Sequence, residues 1–237
     1  MPVKAPAAPP MFNWTGFYVG VNAGGAWGRE SESLVLTGLF VGLPETPALN
    51  NAGSQGTHGS GFIGGAQAGY NIQTGPAVFG IEADINSLRL HGHRFIPNVP
   101  NPSANTYAFA ATSDTDWMAT VRGRAGFASD RLLVYVTGGV AFVDDKFSQT
   151  ITQLNAPFSE TGSASATKSA GIFGGGLEYA LGNGWSMKGE YLHANLGRLS
   201  FSSAGFCPGV PICAAFTGNH ADKLSIDIAR AAINYKY

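Results

Sequence analysis

Two alternating runs meet between Trp117 and Phe142, W-M-A-T-V-R-G-R-A-G-F-A-S-D-R-L-L-V-Y-V-T-G-G-V-A-F, with room for a turn only at Ser129-Asp130. A strand sends successive side chains to opposite faces. In the first run Trp117, Ala119, Val121, Ala125 and Phe127 share one face, and Thr120, Arg122 and Arg124 share the other. In the second, Val134, Val136, Val140 and Phe142 oppose Tyr135 and Thr137. A soluble sheet turns its apolar face to a core and its polar face to water. A membrane barrel does the reverse, with apolar side chains in lipid and polar ones inside.

The same alternation recurs along the chain. Strand one runs from about Trp14 to Trp27, with Phe17, Val19, Val21 and Ala23 opposite Tyr18, Gly20, Asn22 and Gly24. Strand two, about Gly61 to Gln73, sets Phe62, Ala66, Ala68, Tyr70 and Ile72 against Gln67, Asn71 and Gln73. Strand three, about Val78 to Leu90, sets Phe79, Ile81, Ala83 and Ile85 against Glu82, Asp84 and Asn86. The central hairpin supplies strands four and five. Strand six, about Ser169 to Ala180, and strand seven, about Trp185 to Leu199, carry Glu178, Lys188 and Glu190 opposite Phe173, Leu177, Tyr179, Trp185, Met187 and Tyr191. Strand eight ends the chain, with Ala229, Ala231, Ile233, Tyr235 and Tyr237 opposite Arg230, Asn234 and Lys236.

Short turns near positions 75, 130 and 183 alternate with long polar segments at about 29–60, 91–114, 144–168 and 200–223. Eight antiparallel strands, short turns at one end and long loops at the other match the outer-membrane barrel pattern. The expected fold is all-β: an eight-stranded, antiparallel, up-and-down transmembrane β-barrel with short periplasmic turns and four long extracellular loops. An extended Pro/Ala-rich segment occupies residues 1–12 and the barrel domain residues 13–237. Both termini fall at the periplasmic end, and no further periplasmic domain is expected after strand eight.

Composition agrees. No run approaches the 18 or more apolar residues of a membrane helix, but alternation hides a barrel strand from that test. Charged residues make up only 12% and the net charge is -1, which argues against nucleic-acid binding. The N-terminal segment has no apolar signal core, so export implies a signal already removed. The bacterial outer membrane is the expected location. Aromatics cluster near the strand ends: Trp14, Phe79, Phe127, Trp185, Tyr235 and Tyr237 at the turn end, and Trp27, Trp117 and Phe142 at the loop end. They are expected to form two girdles at the lipid headgroups.

Several stretches resemble a known family. They are N-W-T-G-F-Y-V-G at Asn13 to Gly20, T-V-R-G-R-A-G-F-A at Thr120 to Ala128, D-R-L-L-V-Y-V-T-G-G-V-A-F at Asp130 to Phe142 and W-S-M-K-G-E-Y-L at Trp185 to Leu192, with an aromatic C-terminus. The chain is similar to the small alphaproteobacterial outer-membrane barrels of the immunogenic, porin-family type, and more distantly to the OmpA-like transmembrane barrel. Such proteins usually end in Phe, whereas this chain ends in Tyr237.

The inward face carries four acids, Glu82, Asp84, Glu178 and Glu190, and four bases, Arg122, Arg124, Lys188 and Arg230. An eight-stranded lumen is just wide enough for side chains to fill, and an unpaired buried charge is costly. The expectation is a plugged lumen with a structural, envelope-integrity and surface-exposed role. The alternatives are a ligand-binding barrel using its loops for haemin, a host surface or another protein, and a narrow small-solute channel. Catalysis is not expected, since neither G-x-S-x-G nor H-E-x-x-H occurs. The resemblance implies haemin as one ligand for the His91-Gly92-His93 pair, although surface histidines are more often simply solvated. Cys207 and Cys213 flank two prolines in the last long loop. In an exported protein they read as a disulfide worth about 2 kcal/mol, with a free or metal-bound pair as the alternative. No cofactor or metal site is expected. Expected partners are outer-membrane lipids and lipopolysaccharide, and other outer-membrane or host proteins through the loops. Oligomeric state is left open; alanines at Ala66 to Ala68 and Ala229 to Ala232 permit close packing without requiring it.

Overall fold

Period-two alternation persists well past the stretches that look like membrane strands, and it dictates the architecture. The computed structural model describes residues 12–156, 158–206 and 217–237. Its strands are β1 (Gly16–Leu36), β2 (Thr57–Thr74), β3 (Ala77–Ile96), β4 (Tyr107–Ser129), β5 (Leu132–Gln153), β6 (Phe158–Gly182), β7 (Trp185–Phe206) and β8 (Thr217–Lys236). All are antiparallel to their neighbours, and β8 pairs with β1 to close one barrel. The three tight turns use residues that tolerate positive φ: Gly75 before Pro76, Asp130, and Asn183-Gly184 at φ 50° and 82°. Asn-Gly with both residues at positive φ is the hairpin turn whose twist matches its strands.

The strands are longer than expected. Most of the segments read as loops two and three, and much of loop four, are strand. The top-end connections are 37–56, 97–106 and, among the described residues, 154–156, with the last at 207–216 outside the described residues. The third of the four expected long loops is therefore a short turn. On β5, Asp144, Lys146, Ser148 and Thr150 alternate with inward Asp145, Phe147, Gln149 and Ile151. Loop one contains helix α1 (Thr46–Gly53), begun by Pro47 in its first turn, where a missing N–H costs nothing.

Polarity inverts partway up each strand. On β3, Phe79, Ile81, Ala83 and Ile85 point outward, followed on the same face by Ser87, Arg89, His91 and His93. The inward face changes the other way, from Glu82, Asp84 and Asn86 to Leu88 and Leu90. The lower section is therefore built like a membrane barrel and the upper section like a soluble one. On β1 the apolar outer face runs from Phe17 to Trp27. Ten steps of about 3.3 Å, tilted by about 40°, make a belt about 25 Å tall, the height of a bilayer core crossed by a barrel.

The interior is filled in layers. Trp14, Val78, Leu133, Tyr135 and Ala180 close the turn end. A charged layer lies above them. Ile63, Leu88, Met118, Val143, Leu192 and Ile226 form an apolar layer over that. Beyond it, Leu34, Leu36, Phe109, Phe147 and Ile151 pack around Leu49 and Ala52 of α1 at the top.

Trp14 corrects one expectation. It is not part of the girdle: it is 2% exposed and lies inside the barrel mouth. Residues Phe12–Thr15 precede β1 and turn inward, where the Trp14 backbone N–H donates to Gln73 Oε1 at 2.7 Å and its ring meets Phe12 edge-on at 4.9 Å. The aromatic ring seals the opening because apolar Val78, Leu133 and Ala180 await it there.

Candidate functional site: the charged lumen

The lower lumen is governed by Arg122 on β4, whose side chain is wholly buried. Its Nη2 donates to Glu82 at 2.5 Å and Asp84 at 2.8 Å, both on β3. Its Nη1 donates across the lumen to Glu190 on β7 at 2.9 Å. Lys188 Nζ sits 2.7 Å from Glu82, and Arg230 on β8 joins Asp84 at 3.0 Å to Glu190 at 2.7 Å. Arg124 holds Glu178 on β6 at 2.7 Å. All eight charged side chains singled out from the sequence thus stand in the same layer, four of each sign. Three of the acids face a base directly in the strand register: Glu82 and Arg122, Glu178 and Lys188, Glu190 and Arg230. Opposite charges directly across a pair attract, and desolvation makes each pair dependent on good hydrogen bonding.

Neutral residues missed in the sequence complete the layer. The Tyr18 hydroxyl donates to Glu82 at 2.6 Å and accepts from Arg124 at 3.0 Å. Tyr135 donates to Glu190 at 2.9 Å. Thr120, Ser186 and Asn234 donate to Asp84 and Glu178. The two phenols fit because glycines face them: a Cβ on Gly69 would stand 2.4 Å from the Tyr18 hydroxyl, and one on Gly176 2.7 Å from that of Tyr135. The signal was available as inward-facing tyrosines opposite inward-facing glycines.

A second polar layer lies above the apolar one, in segments whose composition predicts loops. Glu32 accepts from Thr57 at 3.0 Å and pairs with Arg94 at 3.3 Å. Arg94 also donates to the carbonyls of Ala52 and Gln55 at the end of α1 and lies over the Phe109 ring at 4.6 Å. Asp145 and Lys168 pair at 2.5 Å. Higher still, Ser203 hydrogen-bonds both Glu160 and, at 2.8 Å, His220 Nε2. All three are buried; Ser203 donates to Glu160, and its hydroxyl stands within hydrogen-bond distance of the imidazole. Burial pushes the His220 imidazole down to about 4 and the Glu32 carboxyl up to about 7, with Arg94 opposing the latter.

On the outer wall, Trp27, Phe79, Phe127, Phe142, Trp185 and Tyr237 are exposed at the belt edges, with Trp117 and Tyr235 half-buried. His91 and His93 both point outward from β3. His91 Nδ1 lies 2.6 Å from Asp114. No group of three or more metal-ligating side chains stands together among the described residues. Cys207 and Cys213 lie outside the described residues.

A closed ring of strands with apolar residues outside and charges within is the geometry that decides the comparison with known proteins. The family model described as outer membrane protein beta-barrel domain matches residues 3–221. The chain belongs to this family. This outer-membrane barrel is 32% identical over 245 residues to the 31 kDa outer-membrane immunogenic protein of Brucella melitensis biotype 1, covering 99% of this chain and 89% of that one. It is 28% identical over 158 residues to the 22 kDa outer membrane protein of Rhizobium leguminosarum bv. viciae, covering 67% and 63% of the two chains. Among solved structures, the outer membrane protease OmpT of Escherichia coli superposes with a TM-score of 0.50 at 8% identity, covering 97% of this chain and 99% of that chain, a likeness of fold alone. The protein is located in the bacterial outer membrane, and its apolar belt is the surface that lipid meets.

Proposed function

We propose that this barrel is a closed, non-enzymatic structural element of the outer membrane that carries a rigid β-extension to the cell surface. The short turns and the described ends of the chain face the periplasm. The upper, water-facing half projects outward. The observation that carries the reading is Arg122, wholly buried at the middle of the lumen and bonded to three carboxylates from two other strands. A solute would have to break this network and then cross an apolar layer, and the desolvation cost opposes both steps. The stabilised wall, its anchoring belt and its exposed upper sheet are what remain available for function.

The test is single-channel conductance of the detergent-refolded protein in a planar bilayer, beside Arg122→Ala. A silent wild type, with brief small openings in the variant, supports the plug. Steady large openings in the wild type overturn it and make the protein a diffusion pore.

A further inference from the structure

One feature of the outer wall is separate from the plugged lumen. A groove of about 400 Å³ crosses β8, β1 and β2 and is bounded by β7, with Trp27, Arg29, His58, Ser60, Tyr191 and Asp227 along it. Its place is fixed by register. Asp227, Trp27 and Ser60 are consecutive cross-strand partners, and Arg29 faces His58 one step above. Trp27 and Tyr191 are the last aromatic residues of the lipid belt on their strands, so the groove opens where acyl chains end and headgroups begin. The Trp27 indole folds down over Gly25, where a Cβ would stand 3.2 Å from the ring, and this leaves the space above it open.

The polar groups are arranged for a ligand of mixed character. Asp227 Oδ1 accepts from the Tyr191 hydroxyl at 2.6 Å and lies 2.7 Å from His193 Nδ1, which leaves Oδ2 unbonded among the described residues. Arg29 lies within electrostatic reach of Asp227 and Tyr191 yet makes no ion pair among the described residues. An unpaired guanidinium is suited to bidentate phosphate binding. A phosphate alone would be repelled by Asp227. A phosphorylated sugar would not, because its hydroxyls donate to that carboxylate and to Ser60 while its phosphate meets Arg29 and His58. Amphipathic rings at the boundary suit a molecule that continues into acyl chains.

We infer that this groove binds the phosphorylated, acylated disaccharide headgroup of outer-leaflet lipopolysaccharide. The inference goes beyond the plugged-barrel reading and does not depend on whether the lumen conducts.

The test uses the full refolded chain, first shown to be folded by its heat-dependent shift in gel mobility. Native mass spectrometry then follows titration with diphosphoryl lipid A, with phosphatidylglycerol and with inorganic phosphate. One lipid A per barrel is expected, and Arg29→Ala and Asp227→Asn should each weaken it roughly tenfold, the effect of losing a charge-assisted hydrogen bond. Phosphatidylglycerol and inorganic phosphate should bind at least about tenfold more weakly, for want of the sugar contacts. Equal retention by wild type and Arg29→Ala overturns the site. Equal binding of phosphatidylglycerol overturns the sugar-phosphate assignment. Both substitutions lie on the outer face, and a variant that fails the mobility shift is replaced by His58→Ala, for which the same weakening is expected.

Discussion

Arg122 on β4 and Glu190 on β7 meet across the lumen, Nη1 to Oε1 at 2.9 Å, although three strand pairings separate them around the ring. Their bond spans the barrel as a tie, holding the wall at a fixed width. Because Arg122 also binds Glu82 and Asp84, removing it takes a base from three carboxylates at once. Lys188 and Arg230 are left to serve them, and the layer keeps an uncompensated buried negative charge.

Arg122→Met should therefore destabilise the barrel by about 3–5 kcal/mol, the scale for leaving a buried charge without its partner. Arg122→Lys should recover only part of that loss, since an ammonium lacks the planar fork that serves three carboxylates at once. Urea titration of the refolded protein, read by gel mobility, checks both. A Met variant with the wild-type midpoint would show that the network contributes nothing to stability.

Trp14 gives a test of inside against outside. In single-tryptophan variants, brominated lipid should quench Trp27 and Trp185, which are about half exposed at the belt, and leave Trp14 bright. Trp14→Ala should cost about 3–5 kcal/mol, as for other buried aromatics. Strong quenching of Trp14 by lipid would return it to the girdle and open the barrel mouth.

The upper section should respond to pH through two groups of opposite sign, both beyond the belt. The Glu32 carboxyl is raised from 4.5 to about 7, chiefly by burial. Its stabilising contribution is full below 4.5 and is lost as pH rises through 7. Burial also raises Glu160, which acts in the same sense. His220 is lowered from 6.5 to about 4, so its contribution is full above 6.5 and lost as pH falls through 4. Between 4.5 and 6.5 the slopes oppose one another. His220→Asn should expose the carboxylate slope, making the variant lose stability from pH 5 to pH 7 more steeply than wild type. Parallel unfolding midpoints for the two proteins across that range would remove His220 from the account.

Arg94 ties α1 to the wall through Ala52, Gln55 and Glu32. Arg94→Ala should free the helix while leaving the lower barrel intact. Limited proteolysis should then cut within 37–56 several-fold faster, with no change in the protected membrane fragment, because local opening exposes only that connection. Unchanged cleavage would mean that the packing of Leu49 and Ala52 suffices to hold it.

The membrane half was legible because a period of two with apolar residues on one face and charges on the other leaves little choice of register. The pattern puts Glu82, Arg122 and Glu190 on the inward face, among charges of balanced sign; that they share one layer follows only from the register between strands. The upper half was not legible for the same physical reason in reverse. Above Trp27 and Ile85 the faces exchange polarity, so Glu32, Arg94 and Asp145 looked like loop charges, and Ser, Thr and Ala between Asp144 and Lys168 looked like linker. The helix start at Thr46-Pro47 carried a readable signal that the polar context masked. Trp14 was misplaced because nearness to a strand end does not say which way a side chain turns when the strand has not yet begun. The groove at Trp27 and Asp227 required pairing between the first and last strands, which no local pattern reveals.

That pairing has a consequence in time. β1 is matched to β8 from Tyr18 and Lys236 to Leu36 and Gly218, so the first strand made finds its second neighbour only when the last has arrived. Until then both carry open edges, and an open edge in hydrocarbon cannot satisfy its backbone. The protein therefore has no stable half-built form in the bilayer: a chain that stalls or is trimmed before Leu224 must be shielded by its assembly machinery or discarded.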